Sequence, residues 1–225
     1  MTAERTLFPR AMSLAVHELR TPVTVVSGYL RMLLKEHGGP LSDRQRKMLE
    51  EAERSCARLG ALVAEMSELG KLEGDELSLA RQSFDVCALL AELASGMQEG
   101  DDRGVHLEVR GCDSPIMIAG DRTRIGAALK ALLFGALRER GQPGVIVAQC
   151  ARAADDVVIA IGEEALLPAL TGAAAAPPAF DEWRGGLGLA LPVARRVIEA
   201  HGGALWSAGD GQPRGAAALR LPVVA

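Results

Sequence analysis

The residues best suited to chemistry lie in one short run, His17-Glu18-Leu19-Arg20-Thr21-Pro22. An exposed imidazole flanked by a carboxylate suits nucleophilic work near neutral pH. On a helix, Arg20 and Thr21 fall three and four residues beyond His17 and share its face. Pro22 within that helix removes a backbone hydrogen bond and favours a bend. Taken alone, the same pattern also describes a surface histidine on an amphipathic helix.

The surrounding sequence supplies the helix. Met12, Val16, Leu19, Val23, Val26, Leu30 and Leu33 are spaced alternately four and three apart, which is a heptad seam. His17 stands beside Val16, just off the seam, and so reaches solvent. Gly38-Gly39-Pro40 breaks the helix. Ser42 then offers an N-cap and Gln45 completes a capping box. A second helix repeats the rhythm through Met48, Ala52, Ser55, Leu59, Leu62, Met66 and Leu69, with Leu49, Cys56 and Val63 widening the stripe. A hairpin cannot enclose so broad an apolar face. A second copy of the chain is the expected cover, giving a dimeric four-helix bundle. The alternative is that the hairpin packs on the C-terminal half.

The polar stretch Gly70 to Asp75 marks the expected boundary between a hairpin domain, residues 1–72, and a second domain, residues 73–225. In the second domain, strands are expected within Leu77–Phe84, His106–Val109, Ile116–Ile118, Val145–Val147, Val157–Ile161, Ala204–Trp206 and Ala216–Leu221. Helices are expected from Asp85 to about Met97, over Asp121–Arg140 and over Ala190–Ala200. Irregular alternation of strands and helices makes the fold class α+β, with a mixed sandwich. Thr171 to Pro178 is low in complexity and reads as a flexible loop.

Composition narrows the function. The chain has 225 residues, room for one large domain or two small ones, and 48% hydrophobic with 24% charged residues exclude a disordered tail protein. Only 3% of residues are aromatic, too few stacking platforms for a single-strand nucleic-acid binder. A net charge of −4 gives no basic footprint for a duplex. No apolar run approaches the roughly 20 residues of a membrane span, and the N-terminus does not read as a secretory signal. A cytoplasmic protein is expected. Cys56, Cys87, Cys112 and Cys150 are scattered, without Cys-x-x-Cys or a Cys/His cluster, so they read as reduced, buried, small apolar residues and no metal is expected.

The His17-to-Pro22 run closely resembles the H-box of the sensor histidine kinases of two-component signalling. Gly120-Asp121-Arg122-Thr123-Arg124-Ile125 resembles the lead-in to the asparagine-bearing helix of the family's ATP-binding domain. Gly185-Gly186-Leu187-Gly188-Leu189-Ala190-Leu191 resembles its second glycine box, followed by Val197-Ile198-Glu199-Ala200-His201-Gly202-Gly203. The resemblance runs from about Thr6 to Val223 and implies an α/β-sandwich of the histidine-kinase ATP-binding fold. It implies that His17 is the phosphoacceptor and that Glu18 holds the other ring nitrogen and acts as acid/base partner. Thr21 would position water for hydrolysis of a partner's phospho-aspartate. Arg20 would meet the phosphate or an acidic partner pocket, or else stay solvated.

The second half departs from the family pattern. The asparagine positions are filled by Gly135 and Ala131, and the lysine position by Arg138. Neither glycine nor alanine offers a side-chain oxygen to Mg²⁺. The adenine-reading aspartate aligns with Glu163, and the two glycines after it with Ala165 and Leu167. The nucleotide lid is reduced to the alanine-rich loop near Ala173 to Ala176. Gly186 and Gly188 remain, either to cradle phosphates or only to make the turn. No cofactor is therefore certain, and ATP with magnesium enters only where this altered site still works. The expected function is phosphoryl transfer through His17 to or from an aspartate of a response-regulator receiver domain, with possible phosphatase action. Alternatives are a divergent autokinase and a non-catalytic pseudokinase scaffold. The expected partners are a second copy, a receiver domain and an upstream kinase.

Overall fold

Two long helices open the chain. α1 spans Glu4–Leu34 and α2 spans Asp43–Glu73. The capping box is formed: the Gln45 amide donates to Ser42 Oγ at 3.3 Å, and the Ser42 amide donates to Gln45 Oε1 at 2.9 Å. These bonds satisfy amides that the first turn leaves open. Across the turn, Arg46 Nη1 donates to the Leu34 carbonyl at 3.4 Å. Our computed structural model describes residues 4–74, 78–172, 180–182, 187–207 and 215–224. The chain divides into two units, Met1–Leu77 and Ser78–Ala225.

Inside the hairpin the helices run antiparallel. Met12 lies against Gly70, and Val23 against Gly60, while the Cys56 thiol meets the Val23 carbonyl at 3.5 Å. Val16, Cys56, Val63 and Leu69 are buried. This revises the expected seam. Only part of the α1 stripe faces α2, and Leu19, Val26 and Leu33 are open. On α2 the positions read as a widening, Cys56 and Val63, make the seal, whereas Met48 and Leu59 are exposed. One partner helix covers only one edge of a stripe this broad.

The second unit begins with β1 (Gln82–Asp85), shorter than the expected strand, whose first residue lies outside the described residues. It continues through α3 (Val86–Ser95), β2 (Val105–Arg110), β3 (Met117–Gly120), α4 (Arg122–Glu139), β4 (Gly144–Ala153), β5 (Asp156–Gly162), α5 (Leu167–Thr171), α6 (Ala190–Ala200), β6 (Ala204–Ser207) and β7 (Ala217–Pro222). The main sheet has the order β2-β4-β5-β7-β6, with β2 parallel to β4 and the other pairs antiparallel. β1 and β3 form a separate antiparallel pair.

Strand alternation sorts the sheet into two faces. Cys150, Ile159 and Leu219 are cross-strand partners and fully buried. The other face carries Val147, Ala160 and Ala218, covered by Leu167 and Leu170 of α5 and by Trp206. The indole Nε1 donates to the Leu170 carbonyl at 3.0 Å. α5 was missed in the sequence because Thr171 is its last residue and belonged to the expected loop; Ala173 onward to residue 179 lies outside the described residues.

α4 and α6 pack together around a buried histidine. Asp121 caps α4 by accepting from the Arg124 amide at 3.1 Å. The Asp121 amide donates to Nε2 of His201 at 3.0 Å, so the ring proton sits on Nδ1, 2.7 Å from the Val197 carbonyl. Both ring nitrogens are thus satisfied, and burial pushes the His201 pKa down.

Candidate functional site: the exposed histidine of helix α1

Val16 is buried against α2, and one residue on His17 points outward. Its side chain is 78% exposed, and Nδ1 lies 3.3 Å from Glu18 Oε1, itself on a side chain 71% exposed. With a proton on Nδ1 facing the carboxylate, Nε2 keeps its lone pair and faces solvent. Arg20 and Thr21 are exposed on the following turn. α1 continues through Pro22, which has no amide for the Glu18 carbonyl. Thr24 Oγ1 donates back to the Arg20 carbonyl at 2.8 Å. The structure therefore brings His17, Glu18, Arg20 and Thr21 onto one accessible stretch of helix.

The expected nucleotide residues lie in the second unit. Gly135 is buried and Ala131 half-buried on α4, and Arg138 is exposed. Gly188 adopts a left-handed conformation, φ +62°, which favours glycine. Gly186 and the loop Ala173 to Ala176 lie outside the described residues. Glu163 follows β5 and lines a small cavity with Ala136, Arg140, Gly162, Leu166 and Gly215. Its carboxylate is not free there: Arg140 Nη1 stands 2.6 Å from Glu163 Oε1. Gly144, with φ +149°, makes room for that guanidinium, since a Cβ on it would fall 2.1 Å from Arg140 Nη2. Gly135 and Ala131 offer no side-chain oxygen to a hard cation, and Glu163 is engaged by a cation. This donor set does not match a magnesium–nucleotide site.

Sequence reasoning missed three features. Arg140 beside Glu163 is one, and the His201–Asp121 contact is another. The third corrects the picture of scattered cysteines. Cys87, Cys112 and Cys150 converge, with their three sulfurs within 4.8 Å of one another. All four cysteines are free thiols. Burial and the neighbouring thiols push Cys112 up to about 12, and Cys150 higher still. No spacing rule reveals this group, because three separate elements supply it.

Comparisons with known proteins agree with the geometry. The family profile of the His Kinase A (phospho-acceptor) domain matches residues 10–75. The chain is 28% identical over 193 residues to the alginate biosynthesis sensor protein KinB of Pseudomonas aeruginosa, covering 84% of this chain and 32% of KinB. It is 26% identical over 200 residues to the sensor protein DivL of Caulobacter vibrioides, covering 88% of this chain and 25% of DivL. It thus spans a third or less of the length of these relatives. Full-length ShkA, solved with AMPPNP, shares the fold with a TM-score of 0.75 at 19% identity, covering 97% of this chain and 46% of ShkA. The histidine kinase ThkA, solved with the response regulator TrrA, gives 0.60 at 21% identity, covering 96% of this chain and 61% of that one. No helix among the described residues is long and apolar enough to cross a membrane. With a match to the His Kinase A (phospho-acceptor) domain at residues 10–75, followed by a domain of the histidine-kinase ATP-binding fold, the chain is similar to the sensor histidine kinases over most of its length.

Proposed function

We propose that this protein is a phosphotransfer member of the sensor histidine kinase family, passing phosphoryl groups between His17 and an aspartate of a response-regulator receiver domain. The observation that carries this reading is the exposed His17 with Nδ1 facing Glu18, set against an α4 that presents Gly135 and Ala131 where metal-holding side chains are expected. Nε2 of His17 attacks the phosphorus of an aspartyl phosphate. The N–P bond forms, the acyl O–P bond breaks, and the aspartate leaves as a carboxylate. Glu18 faces the Nδ1 proton and stabilises the positive charge that develops on the ring. In the reverse direction the same groups return the phosphoryl to aspartate. Thr21, one turn on, would place a water for hydrolysis of the phospho-aspartate. Arg20 would meet the phosphate or acidic receiver residues.

A homodimer completes this reading. Leu19, Val26, Leu33, Met48 and Leu59 leave an apolar stripe open on the hairpin, and a second copy covers it as a four-helix bundle. A cytoplasmic setting suits a receiver-domain partner. An upstream kinase would then supply the phosphoryl group.

A second reading, a divergent autokinase, draws on the left-handed turn kept at Gly188. Two incubations separate the readings. With a phosphorylated receiver domain, label is expected to move to His17 or to be lost faster than from the receiver alone. With labelled ATP and magnesium, no label is expected on the protein. Label from ATP on the wild type but not on His17→Ala would overturn the phosphotransfer-only reading. No effect on the phosphorylated receiver would leave a non-catalytic scaffold.

A further inference from the structure

The three-thiol cluster plays no part in the chemistry of α1. Cys87 sits in the first turn of α3, Cys150 lies on β4, and Cys112 follows β2. Cys87 and Cys150 are buried and Cys112 is half-buried. The Cys87 and Cys150 sulfurs are 3.8 Å apart. Two local devices hold the group. Asp85 Oδ1 accepts from the Cys87 amide and from the Ile116 amide, both at 3.0 Å, which fixes the start of α3 against the segment leading into β3. Gly111, at φ +75°, turns the chain so tightly over β4 that a Cβ on it would fall 2.0 Å from the Cys150 carbonyl oxygen. Only glycine allows that approach, and the next residue is Cys112.

We infer that Cys87, Cys112 and Cys150 form a binding site for one thiophilic d¹⁰ metal ion. Two thiolates bound tetrahedrally to zinc, with Zn–S of about 2.3 Å, stand roughly 3.8 Å apart. The Cys87–Cys150 separation already has that value, and Cys112 closes by about 1 Å at most from the 4.8 Å limit of the group. All three donors are soft sulfur, which selects Zn²⁺ or Cu⁺ over hard cations. Each thiol that binds releases its proton to solvent. Three thiolates with Zn²⁺ leave one net negative charge, and with Cu⁺ they leave two, so zinc is the less costly occupant of a largely buried pocket. The half-exposed side of Cys112 gives water access to a fourth zinc position. The ion would staple α3, the chain after β2, and β4, making the stability of the second unit metal-dependent.

The test uses the reduced 225-residue chain. Zn²⁺ is titrated against a chromogenic chelator, Cu⁺ against a cuprous chelator, and Co²⁺ is followed by its sulfur-to-metal charge-transfer band. One ion per chain is expected, with a charge-transfer band and a raised melting temperature. Cys112→Ser, the least buried position, is expected to weaken binding at least tenfold with the fold retained by circular dichroism. Cys56→Ser, in the hairpin, is expected to bind as the wild type does. Saturation by Zn²⁺ or by Cu⁺ alone supports the site and names its ion. Binding of neither ion by the wild type overturns the proposal, as does binding that survives unchanged in Cys112→Ser and in Cys87→Ser.

Discussion

The guanidinium of Arg140 stands 2.6 Å from the carboxylate of Glu163, one just beyond α4 and the other just beyond β5. The Arg140 side chain is largely buried; its Nη2 donates to the Pro143 carbonyl at 3.2 Å, while neither Nε nor Nη1 makes a hydrogen bond among the described residues, so Nη1 meets Glu163 as a charge contact. The pair therefore ties the end of the helix to the sheet and takes up the carboxylate expected to read adenine. Replacing Glu163 by Gln leaves a mostly buried cation short of its counter-charge. Because the acid is partly solvated, the expected cost is about 1 kcal/mol, or a fall of about 2–4 °C in the melting temperature for a domain of this size. Thermal unfolding of Glu163→Gln measures it, and an unchanged melting temperature would show that the pair is energetically idle.

Nucleotide binding is the next prediction. Calorimetry with Mg-ATP is expected to give no saturable heat on the wild type. Gly135→Asn alone is expected not to restore it, since Ala131 and the Arg140–Glu163 pair remain. Micromolar binding by the wild type would overturn the reading of the second unit as a lost nucleotide site.

Substitutions on α1 separate its roles. His17→Ala removes the nitrogen proposed to attack phosphorus, so transfer of label from a phosphorylated receiver should be abolished. Glu18→Gln keeps a polar contact but loses the charge facing the ring, and should slow transfer by about 10²-fold. Thr21→Ala should lower the ratio of dephosphorylation to transfer by about 10-fold or more. A parallel fall in both rates would contradict a water-positioning role.

The open stripe on the hairpin predicts dimerisation. Val26 is 51% exposed and Leu59 54% exposed, so charging either one disturbs a partner copy more than the hairpin itself. Val26→Glu is expected to shift sedimentation from dimer to monomer at micromolar concentration while helicity is retained. A wild-type monomer under the same conditions would refute the bundle.

His201 makes stability depend on pH. Burial lowers its folded-state pKa below the ordinary value of 6.5. Above that value the ring is neutral in both states and its contribution is intact. As pH falls below it, the unfolded chain takes up the proton first, and stability drops until the folded ring also titrates. Denaturant unfolding between pH 8 and pH 5 should show this fall, and His201→Gln should flatten it. His201→Ala should cost more, about 1–3 kcal/mol, by leaving the Asp121 amide without its acceptor, while the Val197 carbonyl keeps the backbone amide of residue 201.

Much of this protein was legible locally. The capping box at Ser42 and Gln45, the start of helix α3 at Asp85, helix α6 and the outward direction of His17 all follow from spacings of a few residues, which helix geometry turns directly into faces and ends. The loss of side-chain oxygens at Gly135 and Ala131 followed from residue identity once the family resemblance marked those two positions. Tertiary structure decided what periodicity leaves open. Adjacent apolar stripes on one helix are equivalent until a partner covers one of them, so only the hairpin's own packing selects Cys56 and Val63 over Met48 and Leu59 for burial. Arg140 meets Glu163, and Cys87 meets Cys112 and Cys150, because sheet order and the tight turn at Gly111 bring distant strand and helix ends together. Such pairings depend on how the chain returns through space, and no local spacing encodes them.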